Sequence, residues 1–168
     1  NYYPSLAFDG STSGSYYWAS PQLYSSGTHE GTNITSGYNG EWIQIDIGTI
    51  VVLDNLKIYS GQSTTNIPKT MRLFYSSNGS TWTQAADWTN LTVANDWRPG
   101  GSWVPVTKTG LALSGRYFRL VVNESLGGAY VSISEIELYG FVGSTSFTST
   151  DGTVIYTKSS KASENIVN

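Results

Sequence analysis

Residues 42–48 read WIQIDIG. Ile43, Ile45 and Ile47 fall on one side of an extended chain, and Trp42, Gln44 and Asp46 fall on the other. That period of two predicts a half-buried β-strand, because successive side chains of a strand point to opposite faces. The same pattern recurs along the chain. Residues 50–59 (IVVLDNLKIY) read as a strand that bends or bulges at Asp54-Asn55, and residues 69–76 alternate Met71, Leu73 and Tyr75 with Arg72 and Phe74. Asn78-Gly79 followed by Thr81-Trp82-Thr83 marks a hairpin, since both turn positions want positive φ. Strands are further expected over 102–108, 116–123 and 131–140, the last with Ile136 and Leu138 facing away from Glu135, Glu137 and Tyr139. No stretch shows a convincing helical period. Many short strands separated by turn signals predict an all-β antiparallel sandwich.

Composition narrows the function. The 168 residues are enough for one domain with a real core, and 14% aromatic content excludes disorder for the body of the chain. Lys and Arg total 9 against 12 acids, scattered singly, so charge-driven binding to nucleic acid or an anionic membrane is not expected. Cysteine is absent, which excludes disulfides and thiolate metal sites. No apolar run reaches the roughly 20 residues of a membrane span. A chain that begins at Asn1 is read as a piece of a larger protein or a processed product.

Enzyme chemistry finds little to work with. His29 is the only histidine, no G-x-S-x-G stretch supports a serine triad, and the acids are dispersed rather than paired. The expectation is a non-catalytic domain. Two long polar loops, 9–40 and 87–101, carry Tyr16, Tyr17, Trp18, Tyr24, Tyr38, Trp88 and Trp97, and loops of that length in a compact domain are usually functional. Sugar binding needs an aromatic face for the apolar side of a pyranose and planar polar groups for its hydroxyls. Tyr16, Tyr17, Trp97 and Tyr130 are candidates for the face, and His29, Glu30, Asn66 and Arg98 for the polar partners. Trp97 is expected to be exposed because Asp96, Arg98 and Pro99-Gly100-Gly101 surround it, while Trp18, Trp42 and Trp82 are expected in the core. Arg98 could instead pair with Asp96, and His29 could be simply solvated. Asn33, Asn78, Asn90 and Asn123 begin N-x-[ST] sequons.

Several of these stretches resemble the discoidin superfamily, which includes coagulation-factor C-type domains and family 32 carbohydrate-binding modules. Ala7-Phe8-Asp9-Gly10 followed by Trp18 looks like the family's opening "A-[LF]-D-G…W", and WIQIDIG its "W-[IV]-Q-[IV]-D-L-G". RLFYSSNGSTW at 72–82, RYFRLVVN at 116–123 and ISEIELYG at 133–140 resemble the remaining motifs in order. The resemblance covers residues 6–140 and implies an eight-stranded jelly-roll sandwich of galactose-binding-like type with ligand loops at one end. It also implies a structural calcium ion held by Asp9 and Glu135 with oxygens from about Leu6, Ser11 and Ser134, the last ligand falling near Ser15. Family sugar binders use a His in an early loop, an Arg after the "I-x-[IV]-Y" strand and an Asn soon after. His29 and Asn66 lie in the corresponding loops, but residues 60–66 read SGQSTTN and offer Gln62 in place of the Arg.

The domain is thus expected over 1–140, with 141–168 a Ser/Thr-rich extension. That extension is read as a hairpin around Asp151-Gly152 and a polar tail from Lys158 toward another module. The leading functional reading is a glycan-binding attachment module of an extracellular, cell-surface or virion-surface protein, with glycans of a cell surface, matrix or polysaccharide and other copies or modules of the parent as partners. The alternative is a structural module of a surface fibre or capsid. A lipid-binding discoidin domain ranks third, since the loops carry few basic residues.

Overall fold

The structure is a computed structural model, which describes residues 2–142 and the strands Ser146–Thr148, Val154–Thr157 and Glu164–Asn165. Two long strands organise it. The residues expected to form separate strands at 42–47 and 50–59 are one strand, β6, Glu41–Ser60. It turns at Gly48, where φ is +83° and the N–H donates to the Asp46 carboxylate at 2.8 Å. Glycine suits that conformation because it has no Cβ to clash. One short strand and two short pairs fill the long first loop: β1 (Trp18–Ala19), β2 (Tyr24–Ser25) with β3 (Thr28–His29), and β4 (Ile34–Thr35) with β5 (Tyr38–Asn39). After β6 come β7 (Pro68–Ser76), β8 (Thr83–Trp88), β9 (Val106–Lys108), β10 (Leu113–Ser125) and β11 (Ser132–Val142).

The first half of β6 pairs antiparallel with β10 (Ile43 opposite Leu120), and β7 and β8 extend this layer. The second half of β6 runs in the other layer between β11 and β9, with Ile58 opposite both Ile136 and Val106. A register shift leaves Asp54 unopposed between Leu53 and Asn55, which is the expected bulge. Inward-facing Ile43, Leu53, Leu56, Ile58, Met71, Leu73, Phe118, Leu120, Ile133, Ile136 and Leu138 form one buried core between the layers. The protein is an all-β antiparallel sandwich. Among the described residues helix is confined to turns at Pro4–Ala7, Val93–Trp97 and Pro99–Gly101.

Some local expectations need correction. Only the end of the expected strand at 102–108 pairs, because Trp97 O accepts the Val104 N–H at 2.9 Å and holds the earlier residues in a loop. Trp18 is buried as expected, but Trp42 is 39% exposed. It sits on the outer face of its strand, where the Arg119 guanidinium lies 4.1 Å from its ring and 4.0 Å from that of the half-buried Trp82. Beyond β11, β12 (Ser146–Thr148) pairs with β13 (Val154–Thr157), and β14 (Glu164–Asn165) pairs with β11. The Asp151-Gly152 turn and the rest of the tail from Lys158 lie outside the described residues. Among the described residues no helix is long and apolar enough to cross a membrane.

Candidate functional site

Loops 9–17, 20–29, 61–67 and 126–131 are laced together beside the ends of β6 and β10. Ser20 N–H donates to Val131 O, Tyr24 N–H to Ala129 O, Gly128 N–H to Thr65 O and Ser132 N–H to Asn66 O, at 2.8–3.1 Å. The first loop crosses directly over the third. An added Cβ at Gly14 would come 2.6 Å from the Gln62 Cβ, and Gln62 Nε2 donates to Thr12 O at 3.3 Å. Gln62, with φ of +55°, therefore stands at the centre of this end. On one side of it lies a polar cleft of about 110 Å³ lined by Thr12, Tyr59, Ser60, Gln62, Trp103 and Val104. No carboxylate or histidine is among those residues. Next to Gly61 lies Tyr17, stacked on Tyr2 at 5.0 Å between ring centroids. Burial, and then the hydroxyls of Tyr2 and Tyr130, raise the Tyr17 phenol above its ordinary value. Tyr2 and Tyr17 are thus a stacked aromatic pair, with Tyr130 close enough to act on the Tyr17 phenol.

Of the residues singled out from sequence, Asn66, Tyr130 and Gln62 come together here. Asn66 holds the loops through its carbonyl, which accepts Ser132 Oγ at 2.6 Å, and its side chain packs on Gly128. Tyr16 is 61% exposed on the first loop, and Glu30 is exposed. Trp103 and Tyr59 were not singled out as wall residues, and the only signal for them was position: one follows the Pro-Gly-Gly turn, the other ends the strand before Gln62.

Two expectations are overturned. Trp97 is fully buried, with its indole Nε1–H donating to Pro68 O at 3.0 Å, so it cannot be a sugar platform. The polar residues around it belong to a tight turn in which Trp97 N–H reaches back to Thr92 O, pointing the indole inward. His29 is buried as well. Its Nε2 lies 2.9 Å from Glu41 Oε1 and its Nδ1 3.0 Å from Asn39 Oδ1, and Asn33 Nδ2 donates to the same Glu41 oxygen at 2.7 Å. With both ring nitrogens engaged, neither is left for a sugar hydroxyl. Arg98 is exposed and does not pair with Asp96, whose carboxylate accepts the Thr92 N–H at 2.7 Å.

The implied metal site has an internal test. Glu135 is only 2% exposed, yet no Lys, Arg or His forms an ion pair with it among the described residues. Burial, with a smaller push from the Asp9 charge, raises its carboxyl to about 7. Its Oε2 accepts the Gly10 N–H at 3.0 Å, and Asp9 Oδ1 accepts the Ser11 N–H at 2.8 Å. A buried Glu135 without an ion-pair partner, with the exposed Asp9 carboxylate near enough to push its pKa up and oxygen donors around it, fits a hard cation such as Ca²⁺. Among the described residues no group of three or more His, Cys, Asp or Glu gathers, so any further ligands would be backbone or hydroxyl oxygens. Ser134 Oγ already donates to Ser60 O at 2.9 Å, and Ser13 and Ser15 N–H donate to the hydroxyls of Ser11 and Ser13.

The sequence pattern of the F5/8 type C domain matches residues 1–136. No curated protein matches the chain. Among solved structures, it is similar to CBM32-3 from a family 31 glycoside hydrolase from Clostridium perfringens (18% identity, TM-score 0.59, covering 83% of each chain). It is also similar to chitosan-binding module 1 of a chitosanase/glucanase from Paenibacillus sp. IK-5 (22% identity, TM-score 0.56, 83% of this chain and 85% of that one). A third is the CBM32 of AlyQ in complex with 4,5-unsaturated mannuronic acid (19% identity, TM-score 0.55, 80% and 84%). At these identities the likeness is one of fold.

Proposed function

Since the chain belongs to the F5/8 type C domain family, we propose that it is a non-catalytic carbohydrate-binding module that holds a glycan at the loop end of its sandwich. The observation that carries this reading is the cleft beside Gln62, in which the half-buried indole of Trp103 forms a wall and Thr12, Ser60, Tyr59 and Gln62 supply hydroxyl and amide groups. An aromatic wall takes the apolar face of a pyranose, and planar or hydroxyl groups at its rim replace water on the sugar's hydroxyls. Tyr17 and Tyr130, on the other side of the same loop, extend the surface along the glycan, with Asn66 beside them. Gln62 takes the role that the resemblance gives to an Arg.

Structural neighbours named as chitosan-binding or seen with a mannuronic acid derivative support a sugar as ligand. The cleft's lining supports binding without chemistry, because glycoside hydrolysis needs an acid and a second carboxylate across the bond. At about 110 Å³ the cleft is smaller than the roughly 300 Å³ at which pockets enclose a drug-sized ligand. It receives an edge of a sugar, and one site binds at roughly millimolar to micromolar strength. Firm attachment then needs several copies, which suits an extracellular or surface-borne parent. Calcium at Asp9 and Glu135 would serve structure alone, tying the first loop to β11. Calorimetric titration with a panel of neutral and acidic oligosaccharides tests the reading. Heat of binding that disappears in Trp103→Ala and weakens in Gln62→Ala is expected; a panel without response would favour a module that only contacts other proteins.

A further inference from the structure

We propose that Arg98, whose guanidinium lies beside the Trp103 ring that lines the cleft, makes this site select sugars that carry a carboxylate, that is, uronic acid residues of an acidic polysaccharide. The inference rests on the cleft being the glycan site and adds the class of glycan it takes.

An exposed arginine is ordinary; the way this one is held is not. Its Nε–H donates to Gly101 O at 2.7 Å, while Gly101 N–H returns to Arg98 O at 3.1 Å, closing Arg98-Pro99-Gly100-Gly101 into a turn. Gly100 and Gly101 take φ of +64° and +89°, values that favour glycine, and proline fixes its own φ. Immediately before the turn, Trp97 is locked into the core, and Arg98 N–H donates to Val93 O at 2.6 Å. The guanidinium carbon then lies 5.7 Å from the centre of the Trp103 ring, the wall of the cleft. The arm is fixed at its root, at its Nε and along its flank.

The working end is free. Both terminal nitrogens lack a hydrogen-bond partner among the described residues, and no carboxylate pairs with Arg98 there. The nearest acid in sequence, Asp96, is occupied by the Thr92 N–H and hydroxyl. The cleft lining is uncharged. A guanidinium presents its two terminal nitrogens as a planar fork that matches the two oxygens of a carboxylate, and holding it in advance reduces the entropy lost on binding. With a net charge of −3 the whole molecule repels acidic polymers, so this recognition has to be local.

The test is calorimetric titration of the intact chain with trigalacturonate, its methyl ester and a neutral galactose trisaccharide, with thermal melts to confirm folding of each variant. The acid is expected to bind about five-fold more tightly than the ester, the upper range for an exposed ion pair, and the gap should shrink with added salt. Arg98→Gln is expected to erase the gap while leaving ester binding within about two-fold, and Arg98→Lys to restore part of it. Equal affinity for acid and ester, or a gap that survives Arg98→Gln, overturns the inference and leaves the glycan reading intact. No binding of any of the three overturns both.

Discussion

Trp97→Ala separates a structural tryptophan from a ligand platform. The indole is fully buried, among the largest side chains so enclosed, and its Nε1–H is bonded to the carbonyl of buried Pro68 at 3.0 Å. Deleting a buried Trp leaves a cavity and costs about 3–5 kcal/mol, a large share of the ~5–15 kcal/mol that holds a domain together. Trp97→Phe keeps most of the volume but removes the donor, and stranding a buried carbonyl costs roughly 1–3 kcal/mol. At about 2–4 °C per kcal/mol for a domain of this size, the phenylalanine variant should melt roughly 2–12 °C lower. Urea denaturation is the assay: the midpoint should fall in the order wild type, Phe, Ala, with the slope unchanged. Sugar affinity per folded molecule should stay close to wild type in the Phe variant, since Trp97 touches no ligand. An alanine variant as stable as wild type but unable to bind sugar would refute the reasoning.

Removing His29 should also act on stability rather than recognition: His29→Ala takes one of the two side-chain hydrogen bonds from the buried Glu41 carboxylate, leaving that from Asn33, and should cost about 1–3 kcal/mol, read by the same denaturation. Calcium should raise the melting temperature, by the equivalent of about 2.7 kcal/mol at a hundred times its dissociation constant, and EDTA should reverse it. Asp9→Ala should abolish the difference, and identical melts with calcium and EDTA would leave Glu135 a purely internal tie. The Asp46 carboxyl is held down to about 2, first by its hydrogen bonds from Arg116, at 2.6 and 2.7 Å. Its contribution to stability is present above the ordinary value of 3.8 and is lost as pH falls toward 2. Arg116→Gln should move the Asp46 titration, followed by carboxyl carbon NMR, back toward that ordinary value, and an unmoved midpoint would mean the pair does not form in solution.

The layers of the sandwich were legible because alternation marks every strand whose one face meets the core, and the bulge at Asp54 was legible from two turn-forming residues inside an apolar run. What alternation cannot convey is continuity: a glycine at φ +83° lets Glu41–Ser60 pass between both layers as one strand, and Gly48 reads equally well as a terminator. Side-chain direction inside a loop was the main loss. Asp96, Arg98 and Pro-Gly-Gly announce a turn at the surface, but an i→i+5 hydrogen bond from Trp97 to Thr92 decides that the indole faces inward. His29 is buried by partners at Asn33, Asn39 and Glu41, whose convergence depends on how the β4–β5 pair folds back, a tertiary fact without a local signature. Trp42 obeys the alternation but on the outer face, covered on one side by an arginine 77 positions away in sequence whose guanidinium lies 4.1 Å from its ring. The loop that carries Gln62 and Asn66 was legible in the sequence because the strand before it ends in a motif that resembles the family's.

The central claim is that the loop end around Gln62 holds a glycan. Mapping amide and indole NMR shifts during titration with an oligosaccharide that gives a calorimetric response tests it most directly. The account predicts saturable shifts at Thr12, Tyr17, Gln62, Trp103 and Tyr130, with the Trp97 indole unmoved. Shifts centred on another face of the sandwich, or confined to the outer face around Trp42 and Arg119, would contradict it.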